Sequence, residues 1–256
     1  NPEALAVRLS DRHFGIGGDG IILVCPSKVA DAKMKMYNLD GSEGKMCGNG
    51  IRCVGKFLYD HGMVDINEKD EITIETLSGI KKLKAYTSGG KVNRLRVDMG
   101  KAILDPKEIP VVLDGDKVVD RPVEIAGKNY NITCVSMGNP HCVVFMDDID
   151  NLDIETVGPE FENDKLFPER VNTEFVTVLD DHTIKMRVWE RGSGETWACG
   201  TGACAVAVAA CENGFCKKGE DIKIKLKGGD LIINYTDETV YMTGNAEKVF
   251  EGEVEV

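Results

Sequence analysis

Two segments of the chain carry the same sequence of hydrophobic and polar patterns. After Cys47, apolar residues recur at Ile51, Val54, Phe57 and Leu58, the three- and four-residue spacing of one helical face. After Cys199 the run is Ala-rich, with Ala203, Val206, Val208 and Ala209 as its apolar marks. Each run closes on a glycine 15 positions past its cysteine, Gly62 and Gly214, the residue suited to the position beyond a helix C-cap. Strict alternation follows in both segments. EITIETLSG (71–79) leads into IKKLKAY, and DIKIKLKGG (221–229) leads into LIINY, each a hairpin in outline. A last pair, LRVDMG (95–100) and TVYMTG (239–244), closes each copy.

The order strand, turn, helix, hairpin, strand therefore occurs twice, which predicts an internal duplication. The fold class expected is α/β (α+β-like), with two pseudo-symmetric domains, each a mainly antiparallel sheet packed around a central helix. The boundaries expected are 1–114 and 115–245, with the seam in LDPKEIPVVLDGDKVVDRP (104–122), where Pro, Asp and Gly115 punctuate the chain. AEKVFEGEVEV (246–256) has no counterpart in this order and is expected as a strand returning to the first domain.

Composition narrows what such a protein does. A net charge of −12 leaves no basic face to neutralise phosphates, so neither nucleic acid nor an anionic membrane is expected as partner. No run of about 18 apolar residues occurs that could span a membrane. The first residues, NPEALAVRLSDRH, have no apolar core of a secretory signal. They also lack a Met and reach a Gly-rich loop by residue 15, as expected where an earlier piece is missing. Nine cysteines, an odd number without a secretion signal, read as reduced thiols in a cytoplasmic protein. A metal site is not expected. There is no CxxC pair, and His141-Cys142 in a strand would point its two side chains to opposite faces.

The chemistry concentrates where the two helices begin, at CGNG (47–50) and CGTG (199–202). A thiol at a helix start feels the positive end of the helix dipole and its unpaired N–H groups, which predicts a lowered pKa. Glycines beside it let a carboxylate approach those same N–H groups. Two such ends facing each other across a domain cleft would place one sulfur on each side of a carbon acid. One thiolate removes a proton, the opposite thiol returns one, and the centre inverts. The bland alternative is a pair of small buried apolar cysteines. GIGGDG (15–20) reads as a turn, since no nucleotide-binding helix opens from it.

At this point the residues resemble a known family. RHFGIGGDGIILV (12–24), YNLDGSEGKMCGNGIRC (37–53), SMGNPHCVVF (136–145), FPERVNTEFV (167–176) and WERGSGETWACGTGACA (189–205) are similar, in order and across nearly the whole chain, to the diaminopimelate epimerases. These are PLP-independent two-cysteine enzymes of lysine and peptidoglycan precursor synthesis. The resemblance implies that LL-2,6-diaminopimelate is converted to the meso form without a cofactor, by a cytoplasmic homodimer acting on this diamino-dicarboxylate. It implies Cys47 and Cys199 as the acid/base thiols, with His141 and Glu190 adjusting their pKa values. Gly48, Asn49, Gly200 and Thr201 match the family's donors to the reacting carboxylate. Asn38, Asn139 and Asn172 match its substrate-fixing asparagines, and Glu190 and Arg191 the residues for the distal amino-acid end, where carboxylate meets ammonium and guanidinium meets carboxylate.

Two features depart from the family pattern. Its members begin with a strand ending in a Gly-Asn-Asp segment whose Asn touches substrate, and this sequence starts after it. Some members also carry a glutamine contact where this chain has Gly20. Three rival readings stay open. One is another PLP-independent racemase, for proline, hydroxyproline or histidine, although proline racemases tend to have CGH in place of CGN at 47–49. The second is a non-catalytic carboxylate-binding protein, in which both cysteines would be dispensable. The third is a thiol–disulfide enzyme, disfavoured by the long separation of the two thiols.

Overall fold

A computed structural model describes residues 1–66 and 71–255. The chain divides into two units, Asn1–Val97 with Gly244–Val256, and Asp98–Thr243. In the first, helix α1 (Pro2–Ser10) is capped by the Asn1 side chain and packs on β1 (Gly20–Cys25) and β2 (Ala32–Asn38). The two-residue β3 (Glu43–Gly44) pairs with β2, and α2 (Gly48–Asp60) follows. After it come β4 (Ile72–Thr76), β5 (Gly79–Ser88) and β6 (Lys91–Asp98). Their order in the sheet is β1-β2-β4-β5-β6, antiparallel except for β2 against β4. The periodicity of α2 has its physical outcome here: Ile51, Val54 and Leu58 are buried, while Phe57 is half exposed.

The second unit holds β7 (Arg121–Ile125), β8 (Lys128–Ser136), β9 (Pro140–Phe145), α3 (Ile154–Glu162), β10 (Asn172–Asp180), β11 (Thr183–Glu190) and β12 (Gly194–Thr196). Helix α4 (Gly200–Glu212), β13 (Asp221–Leu226), β14 (Gly229–Tyr235) and β15 (Val240–Asn245) complete it. The order β1-β2-β3-α2-β4-β5-β6 recurs as β10-β11-β12-α4-β13-β14-β15, with the parallel step β2·β4 repeated at β11·β13. Sheet strands wrap α4 closely enough that Ala203 to Ala210 are all fully buried. This explains why its sequence is Ala- and Val-rich all round rather than amphipathic. A second apolar layer lies among β7, β8, β9, β10 and α3, built from Ile132, Val144, Phe161 and Phe175.

Two expectations differ from what is seen. The division falls at Val97/Asp98, ahead of the punctuated segment 104–122, because Ile109, Val111 and Val118 of that segment are buried in the second unit's core. Residues 246–255 form no strand. They lie with the first unit as an extended tail, pinned by Arg8 donating to the Glu255 carbonyl (2.8 Å) and by His61 Nε2 3.3 Å from Glu251 Oε1. The exposed side chains of Val249 and Phe250 have no layer to cover, so alternation alone did not make a strand.

Candidate active site

The two cysteines occupy the same structural position. Cys47 is the N-cap of α2 and Cys199 the N-cap of α4, with nearly equal backbone angles (φ −127°, ψ 119° and φ −114°, ψ 109°). A sulfur here takes the part usually played by a Ser or Asp oxygen. Cys47 Sγ accepts from Gly50 N–H at 3.3 Å, and Cys199 Sγ from Gly202 N–H at 3.4 Å. The third helical position is glycine in both copies, and the space around it differs. A Cβ on Gly50 would lie 2.4 Å from Ile22 Cδ1, and one on Gly202 would lie 2.5 Å from Glu174 Oε1. Both helices run 13 residues, and the glycines that follow, Gly62 and Gly214, have φ of +66° and +78°.

In the second unit the fold gathers most of the remaining candidates around Cys199. Asn139 and His141 come from the start of β9, Asn172 from the start of β10, and Glu190 and Arg191 from the end of β11. His141 is fully buried; its Nδ1 lies 2.7 Å from Glu174 Oε1 and its Nε2 3.1 Å from Asn139 Oδ1. Asn139 Nδ2 donates to Thr201 Oγ1 (3.3 Å), and that hydroxyl lies 3.5 Å from Cys199 Sγ. Asn172 ties the start of β9 to the turn after β11, donating to the Pro140 carbonyl (3.1 Å) and accepting from Arg191 N–H (3.0 Å). Glu190 accepts from the Thr196 hydroxyl, and Arg191 Nη1 donates to the Glu169 carbonyl (2.9 Å). Gly200 is buried and Thr201 half-buried at the helix start. The turn carrying Glu190 and Arg191 is held from behind by Glu162, which accepts from Gly192 N–H (2.9 Å), Trp189 Nε1 (2.7 Å) and Arg170 Nη1 (3.0 Å).

The expected lowering of thiol pKa is overturned at Cys199. Burial, with Glu190 and Glu174 close by, pushes this thiol well above its ordinary value, and the hydrogen bonds from Thr201 and Gly202 only partly offset that. The helix start does supply stabilising donors, but desolvation and two carboxylates outweigh them. Hydrogen bonds link His141 to the Cys199 sulfur through Asn139 and Thr201, and the charge of Glu190 raises the thiol.

The first unit carries the other candidates. Asn38 closes β2 and donates to Ser42 Oγ (3.0 Å); Gly48 is buried and Asn49 half-buried in the first turn of α2. At Gly20 the backbone explains the missing side chain: φ is +149° and a Cβ would sit 2.2 Å from the Tyr37 carbonyl oxygen. GIGGDG is a bent loop leading into β1, of which Gly20 is the first residue. In β9, Cys142 faces the apolar layer while His141 faces Glu174, the alternation expected of neighbours in a strand.

Glu174 was not among the residues singled out by sequence, although it stands in RVNTEFV. Its signal was a lone carboxylate inside an apolar strand, TEFVTV, where burial leaves no water to solvate it.

Backbone similarity defines the class. The chain aligns over 95% of its length with 78% of a crystal structure of a probable proline racemase from Agrobacterium radiobacter K84, at TM-score 0.71 and 17% identity. It is thus a two-unit α/β protein of the racemase-like fold, with each duplicated half presenting a cysteine-capped helix start. A family model described as diaminopimelate epimerase matches residues 1–104 and 133–249. A diaminopimelate epimerase of Acetivibrio thermocellus is 54% identical over all of this chain and 90% of its own length; one from Agathobacter rectalis is 51% identical over 100% and 91%. The chain belongs to the diaminopimelate epimerase family.

Proposed function

We propose that this protein is an isomerase converting LL-2,6-diaminopimelate to meso-diaminopimelate, in lysine and peptidoglycan precursor biosynthesis, with Cys47 and Cys199 as the two acid/base groups. The observation that carries the residue roles is the repeated N-cap, a sulfur with a backbone N–H directed at it in each half of a duplicated fold. Inverting a carbon needs a proton taken from one side and a proton given on the other. A chain that writes one thiol site twice supplies both without a cofactor. The N–H groups of Gly48, Asn49, Gly200 and Thr201, at helix starts, suit the carboxylate next to the reacting carbon and the enolate-like charge that grows there.

Within this reading, the raised thiol of Cys199 is the proton donor of the resting enzyme, and it takes the base role when epimerisation runs the other way. Asn38, Asn139 and Asn172 fix the substrate's polar groups, and Glu190 with Arg191 receives the distal ammonium and carboxylate. His141 and Glu190 tune the thiols. The same reading makes the enzyme a cytoplasmic homodimer, which sedimentation of the purified protein tests.

The deciding experiment uses Cys47→Ser and Cys199→Ser. Each should lose epimerisation by several orders of magnitude, because a hydroxyl is a far weaker base at neutral pH. Elimination of HX from a β-halogenated substrate analogue needs only the first proton abstraction. Each variant should therefore release halide from one stereoisomer and lose it with the other, in complementary fashion. A single cysteine essential for both isomers would sink the two-thiol mechanism.

A further inference from the structure

Glu174 lies directly under the first turn of α4, fully buried, on the side away from the apolar layer. The offset of 152 residues that relates Cys47 to Cys199 also relates Ile22 to Glu174, and Ile22 fills the matching place under α2. The fold therefore has no architectural need for a carboxylate here, since one copy of the motif packs the same spot with a methyl group. The polar group belongs to one thiol only. Burying it is costly unless its neighbours use it.

Those neighbours form one connected series: Glu174 Oε1 to His141 Nδ1 (2.7 Å), His141 Nε2 to Asn139 Oδ1 (3.1 Å), Asn139 Nδ2 to Thr201 Oγ1 (3.3 Å), and Thr201 Oγ1 to Cys199 Sγ (3.5 Å). The direction of each bond follows from the first. Glu174 and His141 have no exposed surface, and among the described residues Glu174 Oε2 has no hydrogen-bond partner, so a net negative charge on the pair is strongly disfavoured. A proton on Oε2 would be a buried donor without an acceptor, so the pair keeps its proton on the Oε1–Nδ1 axis, and whether Oε1 or Nδ1 holds it, Nε2 also carries a hydrogen. Nε2 then donates to Asn139 Oδ1, which turns the amide so that its NH₂ faces Thr201. Thr201 Oγ1 accepts there, and its single hydrogen is left for the Cys199 sulfur. Burial raises the Glu174 carboxyl above its ordinary value, in keeping with a retained proton. The titratable groups around the pair are Glu190 on β11, Cys199 itself and the core thiol Cys142, which has Cys134 beside it.

We propose that Glu174 is a positioning residue for Cys199: through His141 it orients Asn139 and Thr201 so that the Thr201 hydroxyl donates to the sulfur. The proposal rests on the two-thiol reading above. In the base role, Cys199 Sγ then accepts from both the Thr201 hydroxyl and Gly202 N–H. In the matching half, Ile22 offers nothing comparable to Cys47, so the device makes the two thiols unequal.

The test is halide release from both stereoisomers of a β-halogenated analogue at saturating concentration. Wild type, both cysteine-to-serine variants, Glu174→Met, Glu174→Gln, Thr201→Val and the Glu174→Met/Thr201→Val double variant are compared. Glu174→Met is expected to slow Cys199-dependent release about tenfold, the loss of one oriented hydrogen bond, and to leave Cys47-dependent release within about twofold. Glu174→Gln, whose amide N–H can serve Nδ1 as the shared proton does, should recover most of the rate. Thr201→Val should slow Cys199-dependent release at least as much, and the double variant should be no slower there than the slower single. Equal losses with both isomers, additive effects in the double variant, or no loss in Glu174→Met would overturn the proposal. Should Glu174→Met not fold, Thr201→Val carries the test through Cys199-dependent release, and an undiminished rate there would overturn the proposal. If the serine variants themselves fail to separate the isomers, the two-thiol reading has failed instead.

Discussion

Adding one methyl group at Gly202 tests how tightly the second helix start is built. A Cβ there would lie 2.5 Å from Glu174 Oε1 and 3.2 Å from Cys199 Sγ. The carboxylate would have to withdraw by nearly 1 Å to reach ordinary contact. It is fully buried and tied to His141 at 2.7 Å, so that movement breaks the bond. Losing a buried charge-assisted hydrogen bond costs about 1.5–3 kcal/mol, and overpacking adds about 1–3 kcal/mol. Alanine's helix preference returns about 1 kcal/mol. Gly202→Ala is therefore expected to cost about 1.5–5 kcal/mol. Gly50→Ala is the matched control. Its Cβ would meet Ile22 Cδ1 at 2.4 Å, but that is the free end of a flexible side chain lining a cavity of about 690 Å³. Rotation of Ile22 relieves the contact, and the net cost should stay within about 1 kcal/mol. Urea unfolding of both variants measures the difference, with halide release reporting whether Cys199-dependent abstraction falls alongside. Equal costs at the two positions would refute the claim that the rigid Glu174–His141 pair, rather than helix geometry, makes the second site intolerant.

Three further outcomes are expected. Glu162→Ala removes the acceptor for Gly192 N–H, Trp189 and Arg170, and should cost about 2–4 kcal/mol by denaturation; because it loosens the turn bearing Arg191, KM should rise more than kcat falls. Cys199-dependent halide release should climb on the alkaline side, since burial, with Glu190 close by, raises this thiol; a profile flat from pH 7 to about pH 10 would contradict the assignment. Burial works against ionised Glu195, but hydrogen bonds from Arg187 (2.8 Å) and Lys227 (2.6 Å) outweigh it and hold the carboxyl below its ordinary value. Its stabilisation is then present above the unfolded-state pKa and lost as pH falls through the lower folded one, so Glu195→Gln should flatten the loss of stability below about pH 4.5.

The sequence by itself determined the local elements and set a cysteine at the start of each of the two duplicated helices. Spacing and terminal glycines marked α2 and α4, alternation marked the hairpins β4–β5 and β13–β14, and the paired Cys-Gly-polar-Gly motifs marked the thiols. These features are legible because helix faces, caps and strand alternation depend on residues a few positions apart. Tertiary structure decided what those groups experience. Cys47 and Cys199 have the same cap and the equivalent N–H donor, yet the residue packed against the first turn is Glu174 of β10 under α4 and Ile22 of β1 under α2. No local rule predicts that one of two equivalent strand positions holds a buried acid, or that the acid's partner is a histidine 33 residues away on the parallel strand β9. The tail 246–255 shows the same limit from the other side: it alternates like a strand and forms none, since a ladder needs a partner edge and an apolar face to cover. Burial and long-range pairing are properties of the packed chain, and they set the proton affinity of a thiol that the motif alone would have placed too low.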